Sequence, residues 1–373
     1  MDAVRIIYGQ DIPAMASQLT RDSGALDGLR SSDKVVIKPN LVVSRKDWEG
    51  VDTNPLLVES LIVELKQRGV SRITVADGSG MGYSAAKAFR ICGYDRFEKR
   101  YGVKLVDLEQ DTFGVREPTL PGPFERLEIA RTALDCDFLI NTPVLKAHSS
   151  ALLTCSLKNL KGTMPRKLKT AFHGVDLNRA IAQLASAIRP DLIVVDGIKG
   201  DLSSESGGNP VTMNRMMLGT DPVAVDSVAA DMLGYQPHDI RHIKYCAEHG
   251  LGISDLDSIP LKPLNAPEDD RKFKASPGYS GRFPCAVFAQ GACCTCLGNT
   301  MFALQRLSEK GLLNRRQAFV LGQNPERPEG TYETVVSVGR CAAEVIEGDI
   351  NIDACPPSAH GILKRVVKAL GSA

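Results

Sequence analysis

The sequence predicts an α/β protein: a mostly parallel sheet flanked by helices, followed by a second, smaller C-terminal α/β domain rich in cysteine. Short β-branched runs alternate with longer helical patterns over the first two thirds of the 373 residues. The runs are nearly continuous in apolar residues, as expected of strands covered on both faces. Beyond a proline-rich break the alternation resumes on a smaller scale, and six of the ten cysteines fall there.

In chain order, the strand candidates are VRIIY, KVVIK, RITVA, DFLIN and LIVVD, each followed by a polar or glycine-containing turn. Between them lie patterns such as PLLVESLIVELKQRG, with apolar residues three and four apart and a glycine to stop the helix. The stretch PLKPLNAPEDDRKFKASPGYSG has four prolines, alternating charge and little apolar periodicity, and reads as a linker or excursion. CAVFAQ, QAFVLG and TVVSVG then read as three more buried strands. The helix NTMFALQRLSEKG joins the first two, with Asn299 or Thr300 as its cap. The expected organisation is an α/β domain over 1–262, a linker over 263–282 and a small domain over 283–373. The basic amphipathic tail HGILKRVVKALGSA is expected to dock on its own domain rather than on a membrane.

Lysine plus arginine number 45 against 44 acidic residues, a balance unlike that of a general nucleic-acid binder. No apolar run reaches the length of a membrane span, and the N-terminus MDAVRIIYGQ lacks the regions of a secretory signal. A cytoplasmic protein is expected. In that reducing setting, clustered cysteines point to a metal or to redox chemistry rather than to disulfides. Cys92, Cys136, Cys155 and Cys246 sit in apolar or helical contexts and read as packing residues.

The segment GACCTCLGNT places Cys293 and Cys296 at CxxC spacing after a strand. Cys341 follows the strand VVSVG, and Cys355 precedes two prolines. If the strands are parallel, these ligands converge from one sheet edge. Four thiolates at a point suit zinc or an iron–sulfur cluster. One close pair with two separate single cysteines, one of them before proline, favours a [4Fe–4S] cluster over Zn. Cys294 is the alternative to Cys293, with C-x-C spacing, or a free reactive thiol.

Polar motifs in the larger domain mark a candidate substrate site. KPNLV presents Lys38 and Asn40 at a strand end, where ligands of open α/β sheets bind. ADGSGMG places Asp77 and Ser79 in a glycine-rich turn before a helix, although the spacing is neither a dinucleotide fingerprint nor a P-loop. NTPVLKAHSSALLTCSLKNLKGTMPRK gathers Asn141, Lys146, His148, Lys158, Asn159, Lys161, Arg166 and Lys167, and AFHG adds His173. Read as one helix, SALLTCSLKNLKG puts Lys158 and Lys161 on a shared face. These donors suit a small substrate carrying carboxylate or phosphate. His148 and His173 are candidates for proton transfer, and Lys146 or Lys158 for a general acid or electrostatic stabiliser. Asp196 ends a strand and is placed to orient one of these cations. Asp221 reads equally as a helix cap or a reactive group, and Asp226 is likewise ambiguous.

The motifs VVIKPNLV, VLKAH, SLKNLKG with a later FHG, LIVVDGI and GTDPVAVDSVAADMLG, in that order between about Lys34 and Gly234, resemble the DUF362 family, a domain of unknown function. The resemblance implies no general reaction. It does imply iron–sulfur ligands, which many members carry in a ferredoxin-like module with two CxxCxxCxxxCP runs. This chain departs from that pattern, having a single CxxC, and the departure implies one cluster. The Cys-Pro-Pro resembles the ligand loop of the cluster-bearing small subunits of hydrogenases and respiratory complex I.

Three functions follow as expectations. The first is an oxidoreductase that binds a small anionic substrate and draws electrons through the cluster from an external donor such as a ferredoxin. The others are a lyase using the cluster as a Lewis acid, and an electron carrier with no substrate of its own.

Overall fold

The computed structural model describes residues 3–42, 50–80, 84–172, 174–203, 205, 207, 209–267, 271–275, 283–290, 292–323, 325–328 and 330–371; the side chains of residues 294 and 295 are set aside. His173 therefore lies outside the described residues, and so does the side chain of Cys294. The chain divides into two units, residues 1–276 and 277–373.

The first unit is built on an eight-stranded sheet. Its strands are β1 (Val4–Tyr8), β2 (Lys34–Pro39), β3 (Arg72–Asp77), β4 (Lys104–Asp107), β7 (Phe138–Thr142), β10 (Leu192–Asp201), β11 (Pro210–Gly219) and β12 (Leu261–Pro263). Two antiparallel ribbons, β5 (Phe113–Arg116) with β6 (Leu127–Ala130) and β8 (Lys146–His148) with β9 (Leu152–Thr154), lie outside it. The sheet order is β12-β1-β11-β10-β7-β2-β3-β4, and β11 alone runs against its neighbours. All five strand candidates are strands of this sheet. Consecutive buried residues such as Val35, Val36 and Ile37 show why they are apolar on both faces, since helices cover the sheet on either side. The helix Pro55–Gln67 starts where the sequence signals it: Asn54 Oδ1 accepts from the Leu56 N–H, and Pro55 opens the first turn.

One local reading is corrected. The stretch SALLTCSLKNLKG is not one helix: Leu152–Thr154 pair as β9 with β8, and only Ser156–Asn159 are α-helical before a 3-10 turn. β-Branched and apolar residues beside β8 win the hairpin, and Leu152 takes a left-handed φ of 64° at the turn. At the head of the proline-rich stretch, β12 pairs in parallel with β1, and Phe273 beyond it is buried.

The second unit has four parallel strands in sequence order: β13 (Ala286–Phe288), β14 (Gln317–Leu321), β15 (Thr334–Val338) and β16 (Ile350–Ile352). Its helix begins at Cys294 and runs to Glu309, so Asn299 and Thr300 lie inside it rather than at its cap. Thr300 Oγ1 bonds back to the Cys296 carbonyl at 2.7 Å, as hydroxyls inside helices do. The tail helix Ala359–Leu370 docks within this unit, burying Ile362 and Val366 among Leu304, Leu307, Phe319 and Val336. No helix among the described residues is long and apolar enough to cross a membrane.

Candidate functional site

Successive strands leave β2 in one direction, through β3 to β4, while β7 sits on its other side and leads toward β10. The adjacent exits of β2 and β7, with Lys38 opposite Asn141 and Pro39 opposite Thr142, form a topological switch point. Crevices of this kind hold ligands in open α/β sheets.

Lys38 is 1 % exposed there and its three N–H groups are all engaged. They donate to Asp77 Oδ1 at 2.7 Å, the Pro39 carbonyl at 3.1 Å and Asn159 Oδ1 at 3.3 Å. Asn159 Nδ2 donates onward to Asn141 Oδ1 at 2.7 Å, and Asn141 Nδ2 to the Ser156 carbonyl at 3.0 Å. Asp77 Oδ2 accepts from the Leu41 N–H. Burial lowers the Lys38 pKa and raises that of Asp77, while each charge offsets the other's penalty. Gly162 makes the network possible, because a Cβ there would lie 2.1 Å from Asp77 Oδ1. Beside it, Lys169 Nζ donates to the carbonyls of Gly78 and Ser79 and to Glu109 Oε1 at 2.9 Å. Arg166 grips Glu109 Oε2 through Nε and Nη2.

A second polar group lies on the β8–β9 ribbon. Lys146 is buried and donates to the carbonyls of Val51 and Glu205. Burial brings its pKa down to about 8, helped by Lys158 and opposed by Asp52 and Glu205. His148 Nδ1 accepts from the N–H groups of Ser150 and Ala151, both at 3.0 Å. That nitrogen is thereby kept unprotonated, so the ring proton sits on Nε2, 3.6 Å from Glu205 Oε2. His148 is poised as a neutral N–H donor. Asp196 accepts from the Asn54 and Ile198 N–H groups, and burial raises its pKa to about 6. Asp226 accepts from the N–H groups of Ser156 and Leu157, and burial carries it to about 7. Asp221 caps the helix Pro222–Met232 through the N–H groups of Val223 and Ala224.

In the second unit the thiols gather at the carboxyl edge of the parallel sheet. Cys293 precedes the helix Cys294–Glu309, and Cys296 lies in its first turn, not in a loop. The Cys296 thiol is held well above the usual range, first by a hydrogen bond with Cys293, then by burial and by the charges of Cys293, Cys341 and Cys355. All four predicted ligands are thus within electrostatic reach of one sulfur. Gly339, at φ 90°, gives that sulfur its room: a Cβ there would stand 2.9 Å from Cys296 Sγ. The Arg340 N–H donates to the Ala354 carbonyl and Asn299 Nδ2 to the Pro357 carbonyl, fixing the Cys-Pro-Pro turn against the segment after β15 and the helix. Among the described residues, no three His, Cys, Asp or Glu side chains already close around a point as a single ion requires. The sixth cysteine of this region, Cys285, is buried in the core, which pushes its thiol up to about 11.

Of the predicted residues, Lys38, Asp77 and Asn159 meet directly, with Asn40 and Ser79 just beyond them. Lys146 and His148 share Glu205. Lys161 lies 5.7 Å above the Phe172 ring, and half-buried Lys158 acts electrostatically on Lys146. Sequence reasoning did not single out Asp52, Glu109, Lys169 or Glu205. Glu109 follows the end of β4 much as Asp77 ends β3, so the strand-end rule could have found it. Nothing local marks Lys169.

The profile of the family described as "Domain of unknown function (DUF362)" matches residues 35–231, just over half of the chain. A thylakoid-associated protein of Synechocystis sp. is 28 % identical over 248 residues, covering 65 % of this chain and 75 % of that one. Among solved structures, a protein from Thermotoga maritima matches at 16 % identity and a TM-score of 0.35, over 49 % of this chain and 50 % of its own. The lactate racemase apoprotein of Thermoanaerobacterium thermosaccharolyticum matches at 17 % identity and a TM-score of 0.33, over 65 % and 56 %. The chain thus spans little more than half the length of these two structures.

Proposed function

The chain belongs to the DUF362 family, and from that premise we propose that it is a cytoplasmic iron–sulfur oxidoreductase acting on a small anionic substrate at the β2–β7 switch point. The observation that carries this reading is the convergence of Cys293, Cys341 and Cys355 on Cys296. Three cysteines brought to one buried thiol make a ready donor set for a group that takes up thiolates. The residues fit one cluster, with Cys293, Cys296, Cys341 and Cys355 as its ligands. One pair from the start of the helix Cys294–Glu309 and two single cysteines that follow β15 and β16 suit a cluster better than zinc, whose structural sites take close ligand pairs. Such a cluster supplies or accepts single electrons.

The chain's own residues would do the rest. Lys146, with a pKa near 8, can hold or release a proton near neutrality. His148 offers its Nε2–H to a developing negative charge. Lys158 and Lys161 would balance an acidic group of the substrate, with Asn159 and Lys38 setting the floor of the crevice. The external donor is an acidic electron carrier of the ferredoxin kind. The helix Ala359–Leu370, which begins just after the exposed Cys355, supports this: His360, Lys364, Arg365 and Lys368 are exposed, and the helix has no acidic residue.

Anaerobic purification followed by iron, sulfide and zinc analysis tests the reading. A brown protein with about four irons and four sulfides per chain is expected, with loss of colour in Cys341→Ser and Cys355→Ser. A colourless protein holding one zinc would end the redox reading.

A further inference from the structure

Two buried oxygens stand unpaired beside a network that leaves them nothing: Asn40 Oδ1 and Ser79 Oγ. Asn40 is 7 % exposed and Ser79 1 %. Each lies two residues beyond a member of the Lys38–Asp77 pair, on the exits of adjacent strands β2 and β3. The exits run side by side, since the Leu41 N–H donates to Asp77 and a Cβ on Gly80 would lie 2.7 Å from the Val42 carbonyl. An unpaired buried polar atom loses its hydration with no bond in return, so two on neighbouring exits require a reason. The nearby cations cannot serve them. The three N–H groups of Lys38 go to Asp77, Pro39 and Asn159, and those of Lys169 to Gly78, Ser79 and Glu109. Lys169 takes the Ser79 carbonyl but not its hydroxyl.

We propose that a hydroxyl group of the substrate lodges between these residues, donating its O–H to Asn40 Oδ1 and accepting the Ser79 Oγ–H. The proposal rests on the switch point being the substrate site, as read above, and names the class: a small hydroxylated anion. The donor and acceptor inventory selects the hydroxyl. Asn40 Oδ1 can only accept, so a carbonyl group would leave it unpaired, and an ammonium has no lone pair for the Ser79 proton. A hydroxyl satisfies both at once. Lys38 and Asp77, locked to each other directly below, fix the strand exits and keep the spacing from collapsing.

Melting curves of the full chain test this with matched probes: glycolate against acetate, glycerol phosphate against propyl phosphate, and glycine as the amine. The hydroxylated member of at least one pair should raise Tm by several degrees more than its partner at millimolar concentration. Ser79→Ala should abolish that difference. In the absence of probe the same variant should melt about 2–4 °C higher than the wild type, because it deletes an unpaired buried oxygen. Equal shifts within both pairs, including no shift at all, would overturn the proposal, as would protection by glycine alone. A Ser79→Ala protein that melts lower without probe would show its hydroxyl already served by an ordered water, and would overturn it too. No turnover is needed for this readout. Protein purified anaerobically that holds one zinc and no iron, yet keeps the hydroxyl preference, would therefore sink the redox reading and leave this one standing.

Discussion

In the first unit, Lys38 and Asp77 are buried together and each offsets the other's desolvation. In the second unit, Cys293, Cys341 and Cys355 each raise the cost of ionising Cys296. The Lys38 network is a finished structure, with cation, carboxylate and two asparagines closing its hydrogen bonds. The thiols offer one another no such opposite charge and only hinder ionisation at Cys296. The difference teaches that strongly perturbed ionisable groups have two origins, scaffold and site, and that partner accounting separates them.

That contrast can be broken most directly at Lys38. Lys38→Met strands the Asp77 carboxylate in the interior and should cost about 3–5 kcal/mol in urea unfolding; a loss below about 1 kcal/mol would show that the pair is not self-compensating. Asp226 sharpens it through pH. Burial lifts this carboxyl from 3.8 to about 7, so the folded chain binds the proton more tightly than the unfolded one. Its contribution is therefore complete below pH 3.8 and lost as pH rises to about 7, a change of about 4 kcal/mol. Asp226→Asn keeps an acceptor for only one of the Ser156 and Leu157 N–H groups, so it lowers stability overall, but it removes the titration and should flatten that slope; an unchanged pH profile of stability would refute the assignment.

In the second unit, Gly339→Ala forces a Cβ against Cys296 Sγ at an unfavourable φ. About 1–3 kcal/mol of stability should go, and iron retention should fall with it. Retention at the wild-type level would detach Gly339 from the thiol group. The smallest effect on stability belongs to Lys364→Glu with Lys368→Glu, within about 0.5 kcal/mol. Reduction by an acidic electron carrier should nevertheless slow roughly tenfold at low salt, with the gap closing as salt is added. A salt-independent rate would remove this helix from the encounter.

Much of the fold was legible because parallel strands announce themselves by continuous apolar runs. β11 was not, since Thr-Met-Asn-Arg-Met-Met mixes long polar and apolar residues without the β-branched signature. The β8–β9 ribbon was hidden because a short apolar run such as Ala151–Leu153 is compatible with either period. The cysteines that the fold brings toward Cys296 could be picked out from their places after strands. The partners Glu109 and Lys169 could not, because 60 residues separate two side chains that only the tertiary fold brings to 2.9 Å.

The order in which the thiols leave the ribosome follows from the same topology. Cys293 and Cys296 emerge first, Cys341 next and Cys355 last. A group held by all four could be inserted only after Cys355 has emerged, by which time the 276-residue unit ahead has had the opportunity to fold on its own. Cluster delivery would then be a late step in maturation, and a shortage of iron should leave a folded first unit attached to an unfinished second one.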